Sequence, residues 1–397
     1  EFAGGAAQDK VRPEPDLFGH PMSASPVHPR APGSPLPGGY GVYLLYAEMF
    51  RGLPRHAEAQ HAAAIHCINL KLDCLYCAME KKKGISKWTK KPVQWGYPIS
   101  ISFEPTTSCN LRCPECPSGL REFTRPTGML QKSFFEQTID DIHKDLLYLI
   151  FYFQGEPYLN PEFLPMVKYA AQKKIYTATS TNAHYLTEEK AKQTVESGLD
   201  RLIISIDGTT QDVYQQYRVG GKLDKVLEGA RNIVKWKKEL NSKKPFVVFQ
   251  FLVVKPNEHQ LEDVKQLAKE VGVDDVWFKT AQVYDYENDP NKLIPTLNKY
   301  SRYKRNADGS HSPKNKLQNH CWKLWHANVI TWDGLVVPCC FDKDAMHQLG
   351  NLKMQSFKEV WHNDNYKQFR SELMTSRKNI DHSSHGTRSL RARAKNG

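Results

Sequence analysis

The sequence predicts an α/β fold, a partial, TIM-like (β/α)6 barrel followed by a small cysteine-bearing C-terminal extension. Three observations predict it. Between residues 98 and 281, six short β-branched or aromatic runs alternate with amphipathic stretches, the pattern of parallel strands joined by right-handed helical crossovers. Eight such units close a barrel, so six leave it open. A polar stretch then separates these units from a second segment, 318–376, with its own cysteines and aromatics.

In order, the strands are expected at Ile99–Phe103, Leu147–Phe153, Ile175–Ser180, Leu202–Ile206, Phe246–Val254 and Val276–Lys279. Helices are expected near 133–143, 162–173, 187–197, 222–240 and 258–271. Thr187, followed by Glu188 and Glu189, reads as an N-cap with an acidic first turn, and Gly198 as the stop. Around this barrel (98–281) lie less regular stretches. Residues 1–40 are rich in Pro, Gly, Ala and Ser and bury too little to order themselves. The chain opens Glu1-Phe2, and Met79 begins Met-Glu-Lys-Lys-Lys-Gly. Residues 1–78 are therefore expected to be a disordered or foreign extension. Residues 79–97 are a basic lead-in, 282–317 a linker and 377–397 a disordered basic tail.

The net charge of +12 is unevenly placed. Lys81, Lys82, Lys83, Lys87, Lys90 and Lys91 face only Glu80, and Arg377, Lys378, Arg388, Arg391, Arg393 and Lys395 crowd the tail. Solvated ends explain this excess better than a nucleic-acid face does. The longest apolar run, Leu146–Phe153, suits a buried strand and is far short of the ~20 residues of a membrane helix. No secretory signal is visible. The nine cysteines are an odd count in a large chain, which argues for a reducing, cytoplasmic location and for metal or iron–sulfur ligation.

The motif that carries chemistry follows the first strand: Cys109-Asn-Leu-Arg-Cys113-Pro-Glu-Cys116. Thiolates are soft ligands for iron–sulfur clusters or zinc. Three cysteines in one loop can hold three irons of a cubane and leave the fourth for substrate, whereas a structural zinc wants four closed ligands. The loop also sits at a strand's C-terminal end, where parallel α/β folds gather function.

With its place after strand one and the six units around it, this motif resembles the radical SAM superfamily. The resemblance covers about residues 96–280, with an extension to 376. It implies a [4Fe–4S] cluster on Cys109, Cys113 and Cys116, whose open iron binds S-adenosyl-L-methionine. Reductive cleavage there gives a 5′-deoxyadenosyl radical, which abstracts hydrogen from substrate. The resemblance implies no catalytic side chain beyond the cluster ligands.

Other strand ends agree. Gln154-Gly155-Glu156-Pro157 resembles the family's "GGEP" stretch, where Glu156 would accept the cofactor's ammonium and Gly155 would permit close backbone approach. Ser180-Thr181-Asn182 is similar to the "TNG" position, with Ala183 in place of Gly, and Asn182 would face the ribose. Ser205-Ile206-Asp207-Gly208, followed by Arg218, resembles "S-x-D-G…R". Ser205 would bond the ribose or carboxylate and Arg218 the methionine carboxylate, while Asp207 either joins them or caps the next helix. Residue 115 is Glu where many members carry an aromatic near the adenine.

In the C-terminal segment, Cys321, Gly334, Cys339 and Cys340 resemble the opening of SPASM and twitch extensions, which bind auxiliary [4Fe–4S] clusters. Gly350-Asn351-Leu352, Val360-Trp361 and Arg370 look like the end of one. The segment lacks the late cysteine pair; where it would fall, the chain reads His382-Ser-Ser-His385. Three readings stay open: a missing or replaced C-terminus, His382 and His385 as ligands, or buried cysteines without metal. Cys67, Cys74 and Cys77 lie in the segment expected to be foreign and are given no function.

Together these residues imply a radical SAM enzyme acting on a peptide or protein, with a one-electron donor such as a flavodoxin or ferredoxin. The membrane and nucleic acid are not expected partners. The alternatives are a radical SAM enzyme acting on a nucleotide or RNA, and a non-catalytic iron–sulfur or zinc-binding protein.

Overall fold

In the computed structural model, residues 85–86, 88–89, 91–94, 96–315, 318–319, 321–377 and 380 are described. The barrel strands are β1 (Ser100–Phe103), β2 (Tyr148–Phe151), β3 (Tyr176–Thr181), β4 (Arg201–Ser205), β5 (Phe246–Val253) and β6 (Asp275–Thr280). All neighbours among them pair in parallel. Between them run α1 (Pro117–Leu120), α2 (Lys132–Ile142), α3 (Phe163–Gln172), α4 (Glu188–Glu196), α5 (Gln211–Tyr217), α6 (Leu223–Glu239) and α7 (Leu261–Val271). The strands fall where the runs place them because their alternate residues serve two faces. On β1, Ile101 and Phe103 enter the core shared with the helices, while Ser102 donates to the Tyr152 carbonyl at 2.5 Å. Helix α7 buries Val264, Ala268 and Val271, one stripe at helical spacing, and ends at Gly272. Thr187 caps α4 by accepting from the Lys190 amide, as its sequence indicates.

The extension does not stand apart from the barrel. After the hairpin β7 (Tyr303–Arg305) and β8 (His311–Pro313) come β9 (Ala327–Ile330), β10 (Leu335–Val337) and β11 (Gly350–Asn351), then α8 (Phe357–His362) and α9 (Asp364–Thr375). β9 pairs in parallel with β1, so one nine-stranded sheet runs β11-β10-β9-β1-β2-β3-β4-β5-β6. The Trp361 and Trp325 indoles donate to the carbonyls of Gly96 and Val93, which docks the end of the lead-in on the extension. The stretch expected to be a linker is also built. Val283, Leu293, Ile294 and Tyr303 are buried together with Leu111 and Cys113 of the cluster loop. Its polar composition hides this because a few isolated apolar anchors, not a periodic face, do the packing.

A buried ion pair joins the parts. Glu104, fully buried at the end of β1, takes Arg125 at 2.9 and 2.5 Å. Arg125 also donates to the Lys343 carbonyl, and Glu104 accepts the Trp332 amide. Burial holds the Glu104 carboxyl above its ordinary value of 4.5, against the pull of Arg125. The native state thus keeps this proton to higher pH than the unfolded chain, so its stabilising effect is full below pH 4.5 and is lost as pH rises through the folded value. Arg125→Met leaves the carboxylate buried and unpaired and is expected to cost about 3 kcal/mol. That loss should be larger at about pH 8 than at about pH 5; equal shifts in the urea midpoint at both pH values would contradict this account.

Candidate functional site

The cysteine loop leaves β1 at Glu104 and returns at Arg125, and its neck is cinched by backbone and side-chain bonds. Thr107 N donates to the Gly128 carbonyl at 3.1 Å, and Gly128 N to Thr107 Oγ1 at 2.9 Å. Cys113 is buried, while Cys109 and Cys116 are half-buried. The three thiols lie close together: beyond the effect of burial, Cys116 raises the pKa of Cys109, and Cys116 and Cys109 both raise that of Cys113. Burial pushes the Cys113 thiol up to about 12, and Arg218 works against it, its Nη1 donating to Cys113 Sγ at 3.8 Å. A thiolate here needs added positive charge, which bound iron supplies. The donor set therefore fits an iron–sulfur group. Among the described residues, no three Cys, His, Asp or Glu side chains close on a point that holds a single metal ion.

The β2 turn meets this loop. Gly155 has φ +73°, and a Cβ there would lie 2.2 Å from the Thr106 carbonyl oxygen. No other residue brings the two backbones so close. Gln154, standing where the family pattern has Gly, accepts from Ser118 Oγ at 3.3 Å and faces Cys116 Sγ at 4.0 Å. Pro157 starts a short 3-10 turn, Pro157–Leu159, at the position where its missing N–H is harmless.

Glu156 is held by three donors. Its carboxylate is buried and accepts from Thr181 Oγ1 at 2.7 Å, Asn182 N at 2.8 Å and Tyr158 N at 3.3 Å. It ties the end of β2 to that of β3. Burial pushes it up to about 7 despite those donors. Asn182 reaches the cluster loop, donating to Asn110 Oδ1 at 2.8 Å and lying 3.9 Å from Cys109 Sγ. Ala183 holds the left-handed turn at φ 64°.

Asp207 does not cap a helix; the N-cap of α5 is Thr210. Its side chain, fully buried, accepts Arg218 Nε at 2.5 Å and the Leu252 amide at 2.7 Å. Local turn chemistry favours an Asx cap, but the half-buried Arg218 guanidinium takes the carboxylate instead. Arg218 is thereby set between Asp207 and Cys113. Ser205 ends β4 and is buried.

Above these groups lies a cavity of about 330 Å³. Its lining includes Cys116, Gln154, Tyr217, Tyr284, Arg302 and Lys343. Tyr284, Arg302 and Lys343 come from the former linker and the extension, and no local motif marks them. Of the extension's cysteines, Cys321 has its pKa raised by burial and by nearby Cys339, which places these two thiols near each other. Cys340 instead packs with Phe153, Val329 and Val337 on the barrel side. His382, His385, Cys67, Cys74 and Cys77 lie outside the described residues. No described helix is long and apolar enough to cross a membrane.

Comparison with known proteins places this geometry. The family model described as the radical SAM superfamily matches residues 103–271, and SPASM, an iron–sulfur cluster-binding domain, matches residues 321–384. The chain is similar to the tungsten-containing aldehyde ferredoxin oxidoreductase cofactor-modifying protein of Pyrococcus furiosus, at 27% identity over 297 residues, 68% of this chain and 82% of that protein. It is 26% identical over 207 residues to the PqqA peptide cyclase of Bradyrhizobium diazoefficiens, covering 51% of this chain and about half, 52%, of the cyclase. The structure of Streptococcus suis SuiB bound to S-adenosylmethionine shares the fold, with a TM-score of 0.54 at 14% identity over 84% of this chain and 78% of that one.

Gly155→Ala is expected to destabilise the protein by about 3 kcal/mol, since backbone cannot yield around the new methyl. Gly220→Ala, also at positive φ but with nothing within 4 Å, should cost only about 1 kcal/mol. Urea unfolding of the two variants side by side tests the pair; similar costs would mean that the contact with Thr106 is not what fixes Gly155.

Proposed function

We propose, for a chain that belongs to the radical SAM superfamily and to its SPASM-containing subgroup, hydrogen-atom abstraction from a peptide or protein substrate in the cavity at the barrel mouth. The observation that carries this is the convergence of Cys109, Cys113 and Cys116 with the Gly155 turn, Asn182 and Arg218 at successive strand ends. When bound, the iron–sulfur cluster and S-adenosylmethionine supply one-electron cleavage of a carbon–sulfur bond. The three cysteines hold the cluster, in our reading a [4Fe–4S] group. Gly155 lets backbone approach the methionine end of the cofactor, Arg218 places a fixed positive charge beside it, and Asp207 orients that charge. Ser205 and Asn182 line the approach. The extension and the post-β6 segment cover the mouth and keep water from it.

A peptide substrate is supported by the relative named as a peptide cyclase. The cationic heads of Lys279, Arg302 and Lys343 on the lining favour a stretch bearing carboxylates. A second cluster is assigned to Cys321 and Cys339, with Cys340 outside the set. A flavodoxin or ferredoxin is the proposed electron donor, and the cytoplasm the proposed location.

The test is anaerobic reconstitution with iron and sulfide, then reductant and S-adenosylmethionine, reading 5′-deoxyadenosine. Release is expected from the full chain and should disappear in Cys113→Ala. About eight irons per chain mean both clusters form and about four mean only one. A fully loaded protein that releases no nucleoside would sink the enzymatic reading and leave a non-catalytic iron–sulfur protein.

A further inference from the structure

We propose that Gln154 tunes the iron–sulfur group on the cysteine loop: its side-chain carbonyl, fixed toward Cys116 Sγ, lowers the reduction potential of the group and makes it a stronger reductant. The proposal rests on the functional reading above and deepens it at a position where the family pattern has Gly. The electron still comes from the one-electron donor named there.

The three cysteines meet different neighbours. Cys109 Sγ lies 3.9 Å from Asn182 Nδ2, and Cys113 Sγ lies 3.8 Å from Arg218 Nη1, so each faces a donor. Cys116 Sγ faces an acceptor, Gln154 Oε1, at 4.0 Å. Against a thiol this contact is a weak S–H···O bond. Iron ligation leaves a thiolate, which has no proton to give. The negative end of the amide dipole then stands against a negative sulfur. Donors near the sulfurs make a cluster easier to reduce, and an acceptor there acts in the opposite direction. Gln154 is buried, so water screens the contact weakly.

Two bonds fix which end of the amide points at Cys116. Gln154 Nε2 donates to the Phe153 carbonyl at 2.7 Å. A flipped amide would set its own oxygen against that carbonyl oxygen. On the other side, the buried Ser118 hydroxyl accepts the Gly155 N–H at 2.9 Å and gives its single proton to Gln154 Oε1 at 3.3 Å. A flip would take the acceptor from that proton too. The partners of both bonds run back to main chain, at Phe153 and at Gly155, so the side chain has little freedom to yield when the sulfur becomes charged. Glycine at this position carries no such dipole.

The test uses the full, anaerobically reconstituted chain in a redox titration with dithionite, followed by electron paramagnetic resonance. The signal whose g-values move when S-adenosylmethionine is added belongs to the group on Cys109, Cys113 and Cys116, and its potential is read before that addition. Gln154→Met keeps length and bulk but loses the dipole. It should favour the reduced form about fivefold, a rise of about 40 mV at ~59 mV per tenfold for one electron. Gln154→Gly should shift the potential in the same direction, and it decides alone if the Met variant loads less iron than wild type. Gln154→Glu, kept protonated by burial, still aims a carbonyl at Cys116 while its O–H donates to Phe153, so its potential should lie at or below that of wild type. Equal potentials in wild type and Gln154→Gly, or a rise in Gln154→Glu as large as in Gln154→Met, would overturn the proposal while leaving the radical SAM reading intact. A loaded wild-type protein with no signal that responds to S-adenosylmethionine would instead overturn that reading, and this proposal with it.

Discussion

The Glu104–Arg125 pair closes the neck of the loop that carries the three cysteines, and most of the molecule is arranged about that closure. The loop emerges directly from β1, the strand that also receives the extension through β9. Glu104 stands where β1 ends, and Arg125 where the loop returns. The extension then seats on the closed neck: Asp344 accepts the amides of Thr124 and Arg125 at 2.8 and 3.3 Å, and the Lys343 carbonyl takes Arg125 Nε. A buried pair of this kind adds little net stability over an apolar substitute. What it supplies is a single permitted arrangement, because either partner alone is a buried, uncompensated charge.

The same logic governs the strand ends. Glu156 and Asp207 are the most recognisable acidic residues of the motif turns, and neither side chain is presented to the cavity. Glu156 spends its oxygens on Tyr158, Thr181 and Asn182, and Asp207 on Arg218 and Leu252. One joins β2 to β3, and the other holds the Arg218 guanidinium beside Cys113. From these turns Gln154 lines the cavity, held by Ser118 Oγ and by its own bond to the Phe153 carbonyl. A carboxylate in either place must remain an acceptor of several fixed donors, so an amide there would set an N–H against an N–H.

The sequence discloses what is local. Period-2 and period-3.6 patterns place the six strands and five helices to within three residues at each end, Thr187 and Gly198 bound α4, and the cysteine spacing marks the cluster loop. Contacts that span the chain leave no local trace. Nothing near Arg125 announces that its partner is Glu104, and nothing near Tyr284 announces Glu115. The segment 282–317 reads as a linker because its buried residues are scattered among polar ones. β9 goes unread because four residues, Ala327–Ile330, carry too little pattern to mark a strand that pairs with β1. At Asp207 the local rule is not silent but overruled, since the half-buried Arg218 competes for the carboxylate more strongly than helix amides do.

These long-range ties share a consequence for the mouth of the barrel. Its lining draws Cys116 and Gln154 from the first third of the barrel, Lys279 from β6, Tyr284 and Arg302 from the segment beyond it, and Lys343 from the extension. No fragment of the chain contains this surface. The barrel alone has the thiols and the strand-end turns, yet it lacks the segment that packs on the loop and the strand that flanks β1. Glu104 takes one of its donors, the Trp332 amide, from the extension, and Glu115 takes the Tyr284 amide from the segment after β6, so both carboxylates tie the loop to distant parts of the chain. A mouth assembled without the extension or the segment after β6 leaves Glu104 or Glu115 short of a donor while still buried, and a buried acceptor without its donor is costly.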